Sequence, residues 1–501
     1  MLRQLIFVLL AGWLLAACGG NDAPGGIGPG PDAAVSGTVL DQRGLPVEGV
    51  VVSDGLLTTL TDEFGNYTLD SDLSKRRFVQ VTIPAAYEIP VKDGIPQFWQ
   101  RIPEGSAKVR ADFTLTARRK AASRYTILMT ADPQIRSRNA RYDNFAFHSI
   151  DVYEEMCRDL QETAASITDR PVYSISLGDL VHNDMSLYPT YCAGIADFDF
   201  PVFNVIGNHD HVQNVATDRE AVKKFEEHLG PTCYSANIGN MHYVFVDNIL
   251  YGREDASKSY ELGLSDEIAH WLRQDLSYVP KDKTIMICAH SQMFKKYSSF
   301  STRNRNYAVY RDELLKFRNV YSWAGHNHHT YIYNYNRSEQ MPIENLTAVT
   351  VTRSTGSLRL NKHLNNDGTP QGYMIVDVDG DDVSWYYHSC GKDRSHQMRL
   401  YSPVRTGSDY VLANVWTWDD AWGPVEWWEN GVKAGEMEPC EEFDPDYVDL
   451  YATVTNKTTR KYCQPAKSFH MFRIKPSPGV KAGEVRVTDR FGTTYTEHVS
   501  W

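Results

Sequence analysis

The sequence predicts an α/β domain at the centre of the chain, with an all-β module on either side. Three observations predict it. From Tyr125 onward, apolar runs of strand length alternate with stretches of helical spacing, the signature of a layered α/β fold. Before that point, short β-rich runs are broken by Gly, Pro and Asp at intervals of about eight to twelve residues, as in a small β-sandwich. From about Tyr401 the chain is β-rich again. At 501 residues it is also too long for one ordinary core.

Taken in order, Leu2–Leu15 is apolar except for Arg3, Gln4 and Gly12, and it runs into Ala16, Ala17 and Cys18. A short apolar run closed by small residues reads as a secretory signal rather than a membrane span. A cysteine directly after two alanines resembles the lipobox of bacterial lipoproteins, which implies lipidation of Cys18 and an exported chain anchored in the cell envelope. Residues 1–18 are thus expected to be a lipoprotein signal peptide, and 19–32, dominated by Gly, Pro, Asn and Asp, a flexible tether. No later stretch is long and apolar enough to span a bilayer as a helix. The runs Val35–Asp41, Gly44–Val52 and Thr61–Leu69 define a β-sandwich over 33–119. It resembles the carboxypeptidase-regulatory, transthyretin-like modules of exported bacterial proteins and contains no cluster of potential ligands.

The central domain is expected over 120–397. Helical spacing appears in His148–Ile167, where Ile150, Tyr153, Met156, Leu160 and Ala164 share a face, and again in Arg219–Leu229 and Ser265–Leu276. Its apolar runs are Tyr125–Thr130, Val172–Leu177, Pro201–Ile206, Thr284–Cys288 and Asn319–Ala324. Each is closed by a polar motif. These are Asp132-Pro133-Gln134, Gly178-Asp179, Gly207-Asn208-His209-Asp210, His290 and Gly325-His326-Asn327-His328. Carboxylates, amides and imidazoles are ligands for a divalent metal. Strand ends in an open α/β sheet converge on one crevice, so five such motifs point to one site.

In this order the five motifs resemble the calcineurin-like metallophosphoesterase superfamily, and the likeness runs from Tyr125 to about His329. The resemblance implies a central α/β/β/α sandwich. It also implies a phosphoester hydrolase with two divalent metal ions (Mn, Fe, Zn or Mg) about 3.5 Å apart, in which a bridging hydroxide attacks phosphorus in line. Carried over by position, one metal takes Asp132, Gln134, Asp179 and His328, and the other takes Asp179, Asn208, His290 and His326. His209 stays outside the ligand set, as proton donor to the leaving oxygen or stabiliser of transition-state charge. Asn208 is also expected to touch substrate. Two aspartates leave the four positive charges of two metals half compensated, which is what a phosphate requires.

Two departures stand out. Gln134 occupies a position usually held by His, and an amide oxygen is a weaker, harder donor than imidazole. The first metal is therefore expected to be held less tightly and to favour Mn²⁺, Mg²⁺ or Fe²⁺ over Zn²⁺. Many members also place an Asp three residues after the bridging Asp to orient the histidine. This chain has His182 there and Asp184 two residues on. Either Asp184 orients His209, or His182 binds substrate phosphate.

With 51 Lys and Arg against 63 Asp and Glu, the formal net charge is −12, so broad polyanion binding, including non-specific binding of nucleic acid, is not expected. Local positive charge is present beside the motifs, with Arg136, Arg138 and Arg141 after the first and Lys295, Lys296, Arg303 and Arg305 after His290. These are solvated loop charges or the rim that attracts an anionic substrate, and Tyr297 and Phe300 among them could stack on a base or sugar. The segment Asn365–Tyr373 reads as a hairpin turn.

Residues 398–501 are expected to form an Ig-like β module. Its tryptophans Trp416, Trp418, Trp422, Trp427 and Trp428 suit a core better than a sugar-gripping surface. Seven cysteines remain after Cys18, none in a CxxC pair, which argues against a cysteine zinc site. In an oxidising compartment Cys440 and Cys463 are the expected disulfide, and Cys288, within an apolar run, is expected to be buried. The reading that follows is a metal-dependent phosphomonoesterase or phosphodiesterase (nucleotide pyrophosphatase included) acting on phosphorylated metabolites, lipids, sugars or nucleotides. The alternative is an envelope glycan- or partner-binding protein built on a degenerate phosphoesterase scaffold.

Overall fold

The computed structural model describes residues 33–138, 148–251, 260–294, 304–334, 344–356 and 363–501. The expected leader, tether and Cys18 lie outside the described residues, as do Arg141, Lys295, Lys296, Tyr297, Phe300 and Arg303.

Two sheets form the centre. The first has the order Val202–Asn204, Val172–Ser176, Arg124–Thr130, Gly372–Asp379, Asp382–Ser389, and its first three strands are parallel. The second runs Tyr234–Ile238, Met241–Val246, Thr284–Ala289, Asn319–Ala324, Leu346–Thr350, Tyr331–Asn334, and its middle four are parallel. Side chains alternate between faces along a strand. Ile127 and Met129, Tyr243 and Phe245, and Met286 and Cys288 therefore meet in one core between the sheets. The intervening Leu128 faces outward into the layer of Tyr153, Met156 and Leu160 from the helix Ser149–Ser166. Val244, Ile285 and Ile287 face the opposite layer, with Leu272 and Leu276 of the helix Asp266–Ser277. The result is an α/β/β/α sandwich, with parallel strands buried on both faces.

Local signals set the helices. Ser265 caps Asp266–Ser277 by accepting from Ile268 N, and Asp266 and Glu267 occupy its positive end. The single helix expected over Arg219–Leu229 is instead two, Asp218–Ala221 and Lys223–Leu229, the first opened by a capping box of Thr217 and Glu220.

The flanking modules meet the edges of the sandwich. The N-terminal module is a pair of four-stranded sheets. Its Ile83 accepts from Asn237 N at the edge of the second sheet, and its Gly94 accepts from Val202 N at the edge of the first. At the far edges the C-terminal module takes over: Asn334 donates to Asp419 and Asp420, and Gln397 donates to Tyr387 O. An open edge would offer unpaired backbone groups to another chain, and these contacts cover part of each edge.

The C-terminal module is two four-stranded sheets around Val411, Val415, Trp427, Phe472 and Val485, with Trp418 and Trp422 packed against them. Trp416 and Trp427 are fully buried and serve the core, whereas Trp428 is half-buried beneath the guanidinium of Arg486. The expected Cys440–Cys463 disulfide is not formed, and no disulfide joins any two cysteines of the described residues. Cys440 packs with Tyr401, Leu412 and Met471, whereas Cys463 lies with Tyr447 and Val454. The chain between them folds into the helices Pro445–Ala452 and Lys457–Tyr462, whose separate small core draws Cys463 away. Cys288 is buried, as its apolar strand implied.

Candidate metal centre

All five motifs leave strands of the two sheets at the same end, so Asp132, Gln134, Asp179, Asn208, His290, His326 and His328 meet in the crevice between the sheets. The backbone there is unusual. Asp132, Gln134, Asp179, His326 and His328 have φ of 51°, 44°, 54°, 68° and 59°, the left-handed region that costs non-glycine residues about 1–3 kcal/mol each. Both Asp132-Pro133-Gln134 and His326-Asn327-His328 thus turn two alternate side chains inward around one spacer residue.

Three glycines allow the close approach. A side chain on Gly178 would stand 2.7 Å from His290 Nδ1, and one on Gly207 would overlap the Asp179 backbone and carboxylate. One on Gly325 would overlap the carboxylate of Asp132.

The ligand atoms fall into two groups that share Asp179. Its Oδ1 lies 3.3 Å from His290 Nε2, which is 3.1 Å from Asn208 Oδ1 and 3.2 Å from His326 Nδ1. Its Oδ2 lies 2.7 Å from Gln134 Nε2, which is 3.2 Å from His328 Nε2. His328 Nε2 in turn lies 3.3 Å from Asp132 Oδ1. Adjacent ligands on an octahedral cation with bonds of about 2.1 Å are about 3 Å apart, which these spacings match. Asp132 Oδ1 and Gln134 Oε1 are buried without a hydrogen-bond partner among the described residues, an arrangement that a cation would relieve. Turning the Gln134 amide over exchanges Nε2 for Oε1 at the same point, presenting the atom a metal needs. Asp132, Asp179 and His290, all buried, have their ligand atoms within 4.8 Å of one another.

The surroundings orient these groups. His290 Nδ1 donates to Leu177 O at 2.7 Å, leaving Nε2 for the centre. Asp132 Oδ2 accepts from His326 N at 2.9 Å. Burial would raise the Asp179 carboxyl, but the imidazoles of His290 and His209 outweigh it and hold the group well below the usual range. Burial depresses His290, yet Asp179 and Asp132 push it up to about 10. Asp210 carries no ligand atom. Its carboxyl accepts from Leu180 N, Val181 N and Gly207 N and ties two motif loops together, while burial and the charge of Asp179 raise it to about 7.

His209 stands apart from the ligand groups, with Nε2 4.0 Å from Asp179 Oδ2. Asp184 does not orient His209. The Asp184 carboxylate accepts from Ser186 N and Oγ and caps a helical turn. His182 stacks on His209, with ring centroids 4.1 Å apart and planes at 25°. Burial, then the charges of His209, Arg136 and Arg353, push His182 down to about 2. The acceptor at His209 Nδ1 is Asn183 Oδ1, at 2.9 Å.

Of the basic residues near the motifs, Arg138 pairs with Asp151 and Arg305 with Asp266, while Arg136 is buried. Arg353, which no motif signalled, is 2 % exposed and donates to the carbonyls of Asp132 and Pro133, bracing the first motif. Only its place just after the strand Leu346–Thr350 marks it in the sequence.

Comparison with known families matches this chain along most of its length. Residues 125–330 fit the family model described as calcineurin-like phosphoesterase, 33–118 the model for the N terminal of that phosphoesterase, and 354–495 the model for its C terminal. The chain belongs to the calcineurin-like phosphoesterase family. It is a metallophosphoesterase, a hydrolase of a family that uses divalent metals. Among relatives of this phosphoesterase is a probable glycerophosphodiester phosphodiesterase GpdQ from Arcobacter nitrofigilis. It is 24 % identical over 208 residues, which are 40 % of this chain and 71 % of that protein. Among solved structures, a dimetal phosphatase from Danio rerio is 14 % identical with a TM-score of 0.35, covering 53 % of this chain and 99 % of that one. A purple acid phosphatase from yellow lupin (Lupinus luteus) seeds is 12 % identical with a TM-score of 0.38, covering 69 % and 68 %.

Proposed function

We propose that this metallophosphoesterase holds two divalent cations, one in each ligand group, and hydrolyses phosphoesters between them and His209. The observation that carries the reading is the division of the Asp179 carboxylate, whose two oxygens face two separate sets of ligand atoms spaced for coordination. Asp132, Gln134, Asp179 and His328 would hold one ion, and Asp179, Asn208, His290 and His326 the other. When bound, the pair supplies charge neutralisation for the phosphate and a hydroxide nucleophile at neutral pH.

The chain's own groups do the rest. Asn208 faces the phosphate as well as its cation, and His209, with Nε2 directed at the centre, gives a proton to the departing oxygen. His182 backs His209 and lines the substrate side of the same loop. Phosphodiesters head the substrate screen because the Arcobacter relative is named for one, with nucleotides and sugar phosphates beside them. Cys18 would carry a lipid anchor that keeps the enzyme in the envelope, and mass spectrometry of the mature N-terminus tests that separately.

Manganese-loaded protein should contain two metal equivalents by elemental analysis and cleave aryl or bis-aryl phosphates. Full activity at one equivalent would refute the dinuclear assignment.

A further inference from the structure

We infer that Asn183 is the positioning residue for His209, replacing a carboxylate with a neutral amide one residue further along the loop. The inference rests on the proton-donor reading of His209 given above.

Asn183 is fixed on several sides. Its backbone sits at φ 60°, a conformation that asparagine tolerates better than most residues, and its N donates to His209 O at 3.0 Å. Its side-chain Oδ1 meets His209 Nδ1 at 2.9 Å and also accepts from Gln213 Nε2 at 2.8 Å. With Gln213 Nε2 donating to that oxygen, the Asn183 amide is oriented with Oδ1, and not its NH₂, toward the ring. An acceptor at Nδ1 requires the ring hydrogen there. Nε2 is then the nitrogen that carries or lacks the transferable proton, and it is the one directed at the centre.

The ring's remaining freedom is removed by its neighbours. His182 covers one face, and His209 N donates to Asp179 Oδ1 at 2.7 Å. The leaving oxygen can therefore receive its proton in one direction only. As the P–O bond breaks, its electron pair stays on that oxygen, which takes the proton from His209 Nε2. The ring is left in the neutral Nδ1–H form, and water returns the proton.

The test compares wild type, Asn183→Gly, Asn183→Asp and His209→Gln, all manganese-loaded, on phosphoesters with a graded series of phenol and alkanol leaving groups. Glycine keeps the left-handed backbone, and aspartate restores an acceptor. Asn183→Gly should lose roughly tenfold or more in kcat on alkanol esters, a fraction of the 10²–10⁴ a general acid supplies, and little on nitrophenol esters. Its metal content should equal wild type, and Asn183→Asp should recover most of the loss. Equal loss on all leaving groups, a fall in metal content, or no recovery with aspartate would overturn the inference. If His209→Gln steepens the leaving-group dependence but Asn183→Gly does not, Asn183 loses its role while His209 keeps its own. If His209→Gln leaves the dependence unchanged, the proton-donor reading fails and takes this inference with it.

Discussion

Gln134 Nε2 lies 2.7 Å from Asp179 Oδ2, so the amide of the first ligand group touches the carboxylate that joins both groups. An amide oxygen at this point is a harder and weaker donor than the imidazole usual in the family. Gln134→His should therefore raise zinc retention at the first site by at least roughly tenfold, the scale on which individual residues tune metal affinity. Elemental analysis after graded chelator dialysis measures it, and unchanged zinc retention would count against Gln134 as a ligand.

Asp179 is the shared group, and its loss should be the most damaging. Asp179→Asn keeps the shape but halves the negative charge of the ligand set. Activity should fall by roughly 10³-fold or more, beyond the cost of one transition-state hydrogen bond, because in the proposed dinuclear centre both ions would lose a ligand. Steady-state assays with parallel metal analysis check it. An active variant with both ions bound would remove Asp179 from the centre.

Gly207 leaves no room for a side chain beside Asp179. Gly207→Ala should displace that carboxylate and cost about 1–3 kcal/mol of stability through overpacking. Metal content should drop while circular dichroism stays native, because the clash is confined to the motif loops.

The Asn365–Tyr373 hairpin docks on the C-terminal module. Asp367 is buried with Oδ2 3.5 Å from His470 Nε2, its carbonyl accepts from Asn414 Nδ2, and Asn366 Oδ1 meets His329, next in sequence to the candidate ligand His328. Removing one partner of a buried polar pair strands the other, so Asp367→Ala should destabilise the protein by about 3 kcal/mol. Thermal denaturation reads this as a lower midpoint, and a shift below 1 °C would contradict the docking role.

His396 packs on Trp416 at 4.6 Å between ring centroids, with Nδ1 3.1 Å from Ser389 Oγ. Burial, then the charges of Arg399 and Lys392, push it down to about 4 against an opposing effect of Asp393. The folded protein keeps this ring neutral, while the unfolded chain takes up a proton below about 6.5. Its contribution to stability is thus complete above about 6.5 and is lost as pH falls toward 4. His396→Gln should flatten the fall in melting temperature across that window.

The centre was legible because its residues occur as short motifs, each closing an apolar run, and parallel strands must end together. Asp132, Gln134, Asp179, Asn208, His290, His326 and His328 follow as ligand candidates from motif order and family likeness, and the fold gathers them in one crevice. Asn183 was not legible, because its role depends on a left-handed backbone that carries the loop one residue past His182. Arg353 was hidden for another reason. It lies 221 residues from Asp132, whose carbonyl it braces, and nothing local marks the contact. The failed Cys440–Cys463 pairing has the same origin, since closeness along the chain does not determine which small core a side chain joins.

By itself the sequence determined the alternation of strands and helices, the strand ends and the residue types that close them, because periodicity and motif order are local properties, while the four-layer arrangement followed from family likeness. Only the tertiary structure decided which oxygen of Asp179 faces which group, what holds His209, and how the flanking modules meet the sheet edges. Those depend on backbone torsions and long-range contacts, which the one-dimensional pattern does not contain.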